Sequence, residues 1–153
     1  MRKVFIGADH GGVNLKDQLV TMLRENKEYD VEDMGTHGTV AVDYPKIAEQ
    51  VAKKVSEVPT SVGIIVCGSG IGVSIAANKV PGIRCALVHD SYTARMSRQH
   101  NDANMIALGE RVTGSEVAKE AVRIFLDTPF EGGRHANRVA LIAAIESSNQ
   151  SHS

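Results

Sequence analysis

The residues best suited to chemistry stand where apolar runs end. Residues 62–67 are uncharged and rich in β-branched side chains, and they close on Cys67, followed by Gly68, Ser69, Gly70, Ile71 and Gly72. A thiolate is a base and a nucleophile. At a helix N-terminus a cysteine pKa falls from about 8.5 into the range of roughly 3.5 to 7.5. The glycines let the backbone approach a ligand closely. The helix predicted next, over 71–79, turns its free N–H groups and positive dipole end back at the loop. That combination suits an anion. The plainer reading of a lone cysteine here is a packed core residue. Cys85, inside the run 84–88 with no glycine loop, keeps that reading.

Two further clusters sit at predicted strand ends. Asp9, His10, Gly11 and Gly12 follow the first apolar run, and His100, Asn101 and Asp102 precede the last one. The expectation is that all three clusters converge on one crevice. Arg134 and Arg138 are four apart and share a helix face. With Arg111 they can clamp a phosphate, although a solvated basic face is the ordinary fate of such a pair. Asp43 precedes Tyr44 and Pro45, where the plain role of Asp43 is a helix N-cap and that of Tyr44 a packed aromatic. His37, His89, His135 and His152 have no evident partners in the sequence. No HxH, HExxH or Cys/His spacing suggests a metal, so none is expected.

One pattern competes. The GSGIG loop, a helix, a strand and then Asp90 imitate a dinucleotide-binding unit. Against it, the spacing is GxGxG rather than GxGxxG, the unit starts at the third strand, and no room is left for a substrate domain.

These residues need a frame to hold them. Short buried runs are predicted as strands over 3–8, 31–34, 62–67, 84–89 and 104–108. Stretches with helical spacing cover 13–26, 45–55, 71–79, 92–100, 115–126 and 135–147. Strand alternating with helix implies a parallel sheet covered on both faces. The expected fold is therefore α/β: a Rossmann-like three-layer sandwich with a five-stranded parallel sheet. Ligands in such folds bind beyond the carboxyl ends of the strands. The chain reads as a single domain over 1–153, with a polar, frayed tail from Ser148. Every residue from Val139 to Ile145 is apolar. A helix apolar all round needs cover on more than one side, which points to another subunit, the alternative being a helix buried wholly within one subunit.

Bulk properties exclude other classes. The net charge is -1, with 42% hydrophobic and 23% charged residues. That charge gives no reason to expect a nucleic-acid partner or an anionic membrane. The first apolar run is too short for a signal peptide, and no run approaches a membrane span. Two cysteines without CxxC spacing suggest reduced thiols and a cytoplasmic protein.

Taken together, several motifs carry a family resemblance. They are Gly7-Ala8-Asp9-His10-Gly11, Asp43-Tyr44-Pro45, Cys67-Gly68-Ser69-Gly70-Ile71-Gly72 with Ser74-Ile75-Ala76-Ala77-Asn78-Lys79, Arg98-Gln99-His100-Asn101, and Glu131-Gly132-Gly133-Arg134-His135 with Arg138. In this order and spacing the chain resembles ribose-5-phosphate isomerase type B. The wider family includes galactose-6-phosphate isomerase subunits and allose-6-phosphate isomerase. The resemblance covers the chain from Lys3 to the neighbourhood of Glu146.

The resemblance implies an aldose–ketose isomerase of the pentose phosphate pathway, without metal or cofactor, that interconverts D-ribose 5-phosphate and D-ribulose 5-phosphate through an enediolate. Cys67 would be the base, His100 would assist ring opening, and Asp43 would orient it. Gly68, Ser69, Gly70, Ile71 and Gly72 would hold the enediolate oxyanion. Asp9, Tyr44 and Asn101 would contact sugar hydroxyls or shape the site. His10, Arg111, Arg134 and Arg138 would bind the phosphate. A branch of the family replaces the cysteine with a glutamate just after the loop, where this chain has Val73. The resemblance also implies a homodimer with shared sites, with a dimer of dimers left open. A six-carbon substrate (allose 6-phosphate or galactose 6-phosphate), a non-catalytic nucleotide or sugar-phosphate sensor and a nicotinamide-dependent reductase are the alternatives.

Overall fold

The structure is a computed structural model that describes residues 1–150. Its strands are β1 (Arg2–Ala8), β2 (Tyr29–Asp33), β3 (Val62–Cys67), β4 (Cys85–Leu87) and β5 (Met105–Gly109). Its helices are α1 (Val13–Arg24), α2 (Tyr44–Glu57), α3 (Ile71–Ala77), α4 (Ser91–Gln99), α5 (Ser115–Asp127) and α6 (Arg134–Gln150). The strands form one parallel sheet in the order β2-β1-β3-β5-β4.

Alternation along each strand sends side chains to opposite faces. Val4, Ile6, Ile64, Val66, Ile106 and Leu108 meet Leu15, Leu19 and Leu23 of α1 and Val122 and Phe125 of α5. Phe5, Ile65, Cys67, Met105 and Ala107 meet Val51 and Val55 of α2 and Val73 and Ala77 of α3. Both faces are covered, which is why the central strands read as unbroken apolar runs. The three-layer α/β sandwich expected from the sequence is present.

Most boundaries shift by one to three residues from the sequence reading, and two of the shifts have a clear physical reason or consequence. β2 starts at Tyr29, because Tyr29 and Asp30 pair with Arg2 and Lys3 despite their polarity. α6 continues to Gln150, so the helix includes the first part of the predicted tail. The rest of that tail, with His152, lies outside the described residues.

α6 joins neither core. Leu141, Ile142 and Ile145 are 59%, 44% and 64% exposed. Its link to the body includes Glu146, whose carboxylate accepts the Gly82 N–H at 3.1 Å. Beneath it runs a groove of about 810 Å³ lined by Ile83, Cys85, Ala86, Ile142 and Ile145 among others.

Candidate active site

The order of strands reverses between β1 and β3, and the crevice at that point is where ligands bind in open parallel sheets. The Asp9–Gly12 loop and the Cys67–Gly72 loop meet there. A Cβ on Gly11 would lie 3.3 Å from the Gly68 nitrogen. Asp9 is buried, and its Oδ1 accepts the Gly11 N–H at 2.9 Å.

The Cys67 loop is locked from below. Gly70 has φ +80, and a side chain there would strike Leu87 and the Leu108 backbone. A Cβ on Gly109 would lie 2.5 Å from the Ser69 carbonyl. The Gly70 N–H donates to Cys67 Sγ at 3.1 Å, and the Ile71 N–H donates to Ser69 Oγ at 3.1 Å. Among the described residues, the N–H groups of Gly68, Ser69 and Gly72 find no protein acceptor. They can therefore serve a negative oxygen brought to the loop. Burial pushes the Cys85 thiol up to about 12, which keeps it a neutral core group. Val73, at the glutamate position of the other branch, is buried in the core.

Three more predicted residues belong to this edge. The Arg111 guanidinium lies on Gly68, whose Cβ would come within 3.2 Å of it, and the Arg111 N–H donates to the Gly68 carbonyl at 3.0 Å. The Tyr44 ring lies against Gly72, where a Cβ would come within 2.6 Å. Asp43 stands at the N-cap of α2, yet its side chain makes no capping bond and is exposed. The plain N-cap role therefore does not account for that carboxylate. The preceding N–H, from Val42, donates to His10 Nδ1 at 3.3 Å.

Sequence reasoning missed what holds this edge in place. Lys16 is wholly buried, and its ammonium donates to both Asp33 oxygens at 2.9 and 2.8 Å. Asp33 also accepts the Gly35 N–H at 3.0 Å, which anchors the segment leading to Asp43. Burial alone would raise the Asp33 pKa, but the bonds from Lys16 and Gly35 outweigh it and hold the carboxyl below its ordinary value. Glu110 Oε1 accepts the Leu15 N–H at 2.6 Å and so ties the end of β5 to the start of α1. In the sequence, a lysine on a helix carries no sign of burial.

His100 and Asn101 are elsewhere, which corrects the expected convergence. Gly63 pairs with Met105, and Cys67 pairs with Gly109. Residues before β5 therefore lie at the amino edge of a parallel sheet, about 13 Å along the strand from Cys67 at roughly 3.3 Å per residue. His100 closes α4 there as its C-cap. Two consecutive left-handed glycines, Gly132 (φ +69) and Gly133 (φ +56), turn the chain into α6 beside it. His135 stacks on His100 with ring centroids 4.1 Å apart and planes 12° from parallel. Glu131 Oε2 lies 3.4 Å from His135 Nε2. Burial, then the nearby His100 and Arg134, lowers the His135 pKa. Arg134 and Arg138 are exposed at the start of α6 and add positive charge to this group. The expected three-arginine clamp is thus divided, with Arg111 at one edge and Arg134 and Arg138 at the other.

His100, Glu131 and His135 place donor atoms within 4.8 Å of one another. Their arrangement does not suit a metal. Imidazole lone pairs lie in the ring plane, and two nearly parallel stacked rings aim them side by side rather than at a common point.

The comparisons with known proteins identify the family to which this fold belongs. Residues 4–142 match the family described as Ribose/Galactose Isomerase. The chain is 47% identical over 146 residues to ribose-5-phosphate isomerase B of Escherichia coli, covering 95% of this chain and 97% of that one. A solved structure of ribose-5-phosphate isomerase B from Clostridium thermocellum superimposes with a TM-score of 0.93 and 52% identity over 96% of this chain and 99% of that one. The Mycoplasma genitalium ribose-5-phosphate isomerase B with bound ribulose-5-phosphate has a TM-score of 0.90 and 38% identity, over 95% and 96% of the two chains.

Proposed function

The chain belongs to the ribose/galactose isomerase family and is an aldose–ketose isomerase, and we propose that it interconverts D-ribose 5-phosphate and D-ribulose 5-phosphate through an enediolate. Membership sets aside the reductase and non-catalytic readings of the glycine loop. The observation that carries the substrate and mechanism reading is the Cys67 loop. The Cys67 sulfur accepts one backbone N–H at the end of β3, the adjoining loop carries amides that find no protein acceptor among the described residues, and the Arg111 guanidinium lies on Gly68 of that loop.

The cyclic aldose opens when its anomeric hydroxyl gives its proton to solvent water, the bond from C1 to the ring oxygen breaks, and that oxygen takes a proton from His100, which solvent then restores. The Cys67 thiolate then removes the C2 proton. The electron pair passes into the C1–C2 bond, and the C1 oxygen becomes the oxyanion received by the loop N–H groups. Cys67 returns a proton to C1 while the O2 proton passes to O1, leaving the ketose. A positioned base contributes about 10² to 10⁴ in rate, and one oxyanion donor about 3 kcal/mol. Asp9 and Tyr44 contact sugar hydroxyls in this reading, as does Asn101. His10, Arg111, Arg134 and Arg138 hold the phosphate, which fixes the reacting carbons beside the sulfur.

The reading requires two chains. His100, Asn101, Arg134 and Arg138 cannot reach the Cys67 loop of their own chain, being at the opposite edge of the sheet. We infer a homodimer in which the amino edge of one protomer completes the carboxyl edge of its partner, with Asp43 orienting the partner's His100. Two unpartnered apolar rows support this. One is the exposed face of α6, and the other is Ile71 and Ile75, 54% and 60% exposed on α3 beside the loop. The cytoplasmic location suggested by the two unpaired cysteines belongs to the same reading.

Ribose 5-phosphate in heavy water tests it, with NMR reading both exchange at C2 and ketose formation. The wild type is expected to show both, and Cys67→Ala neither. A wild type that forms no ketose from this substrate would refute the assignment, and six-carbon phosphates would be tried next.

A further inference from the structure

We propose that His135 is a positioning residue that fixes the plane of the His100 ring for proton delivery to the sugar ring oxygen. The inference rests on the isomerase reading above and adds a residue that it does not use.

His135 is 5% exposed, while His100 is partly open to solvent. Their rings lie 4.1 Å apart and 12° from parallel, so one face of His100 is filled by the other imidazole. Imidazole protons leave along the ring plane. Whatever sets that plane sets where the proton goes. His135 is itself held at two points, through its backbone N–H and its Nε2, and its partner Glu131 is anchored in turn. Its N–H donates to the Gly132 carbonyl at 3.1 Å, Glu131 faces its Nε2 at 3.4 Å, and the Glu131 N–H donates to the Gln99 carbonyl at 3.2 Å. Glu131 and His135 are thus tied to the residue immediately before His100.

The charged and titratable groups facing His135 are His100, Glu131, Arg134 and Arg138. Burial and the cations among them favour the neutral ring. A neutral neighbour lets His100 gain a proton without charge repulsion across the stack, which a lysine or arginine in that place would not. A misplacement of about 1 Å in a reacting group can cost on the order of 10²-fold in rate.

The two sugars separate this role from a structural one. Ribulose 5-phosphate carries its phosphate on the hydroxyl that would close a five-membered ring, so it enters as the open chain. Ribose 5-phosphate is predominantly cyclic and must be opened. The experiment uses full-length wild type, His135→Ala and His135→Phe in heavy water. It follows conversion of ribose 5-phosphate and deuterium entry at C1 of ribulose 5-phosphate.

For His135→Ala, conversion is expected to fall on the order of 10²-fold while deuterium entry stays within about 3-fold of wild type. His135→Phe, which keeps an aromatic face on His100, is expected to recover most of the lost conversion. Equal loss of both readouts in a folded His135→Phe, or no loss of either in His135→Ala, would overturn the positioning role. Should His135→Ala fail to fold, His135→Phe beside His135→Leu makes the same comparison of a stacked with an unstacked side chain. A wild type that exchanges no proton would instead condemn the isomerase reading itself.

Discussion

The carboxyl edge of the sheet is built mainly from backbone, and the amino edge mainly from side chains. At the first, glycines admit close contacts that a Cβ would forbid, and the groups offered to a ligand are largely N–H. At the second, imidazoles and guanidiniums cluster around the end of α4 and the start of an exposed α6. The first is held by its own core, since Cys67 packs with Ile65, Val73 and Ala107. The second leans on a helix that its own chain leaves uncovered. The difference separates two tasks. Stabilising an oxyanion needs fixed dipoles that do not reorganise, and a locked loop supplies them. Moving a proton and holding a phosphate needs titratable or charged side chains, which a second protomer can bring.

Substitutions can break each edge separately. The largest effect is expected at the support beneath the carboxyl edge. Lys16→Met leaves the Asp33 carboxylate without its buried partner and should cost about 3–5 kcal/mol in urea unfolding. The pH dependence follows from the Asp33 pKa, which is lower folded than unfolded. Its contribution is present above the unfolded value, about 3.9, and is lost as pH falls through the folded value. Acid titration should show this loss in wild type and not in Lys16→Met.

Next comes Gly109→Ala. Its Cβ would lie 2.5 Å from Ser69 backbone atoms, so the loop must shift. Turnover is expected to fall on the order of 10²-fold through misplaced donors, with stability reduced by about 1–3 kcal/mol. Unchanged turnover in steady-state kinetics would mean that the loop geometry is not what matters. The smallest effect should be at the amino edge. Arg138→Ala removes one charged contact from an exposed group and should raise the Michaelis constant about 10-fold, consistent with roughly 1.5 kcal/mol, while turnover holds. An unchanged constant would remove Arg138 from phosphate binding.

The sequence disclosed these edges unequally. Buried strands such as β3 and strongly patterned helices such as α2 and α5 were legible, because periodicity reports which face is covered. The glycine loop after Cys67 was legible too, since its glycines and the following helix announce a close approach. What the sequence left unresolved was that the clusters do not converge within one chain. Alternating strands and helices say that the sheet is parallel, and a residue before a parallel strand then belongs to the edge opposite one that follows it. His100 precedes β5 and Cys67 ends β3, so a single chain keeps them apart. Strand order and register, which set their separation, depend on long-range packing. His135 and Lys16 were hidden for another reason. Their significance is burial against a partner distant in the chain, or a stack formed by a turn, and neither leaves a local pattern.

The most direct test of a site shared between two chains is complementation. Cys67→Ala and His100→Ala are purified as inactive proteins, mixed under conditions that exchange subunits, and assayed with ribose 5-phosphate while native mass spectrometry counts the hybrid dimers. A hybrid has one site with both defects and one with neither, so an equal mixture should regain about a quarter of wild-type activity. Hybrids that form and stay inactive would contradict the shared site.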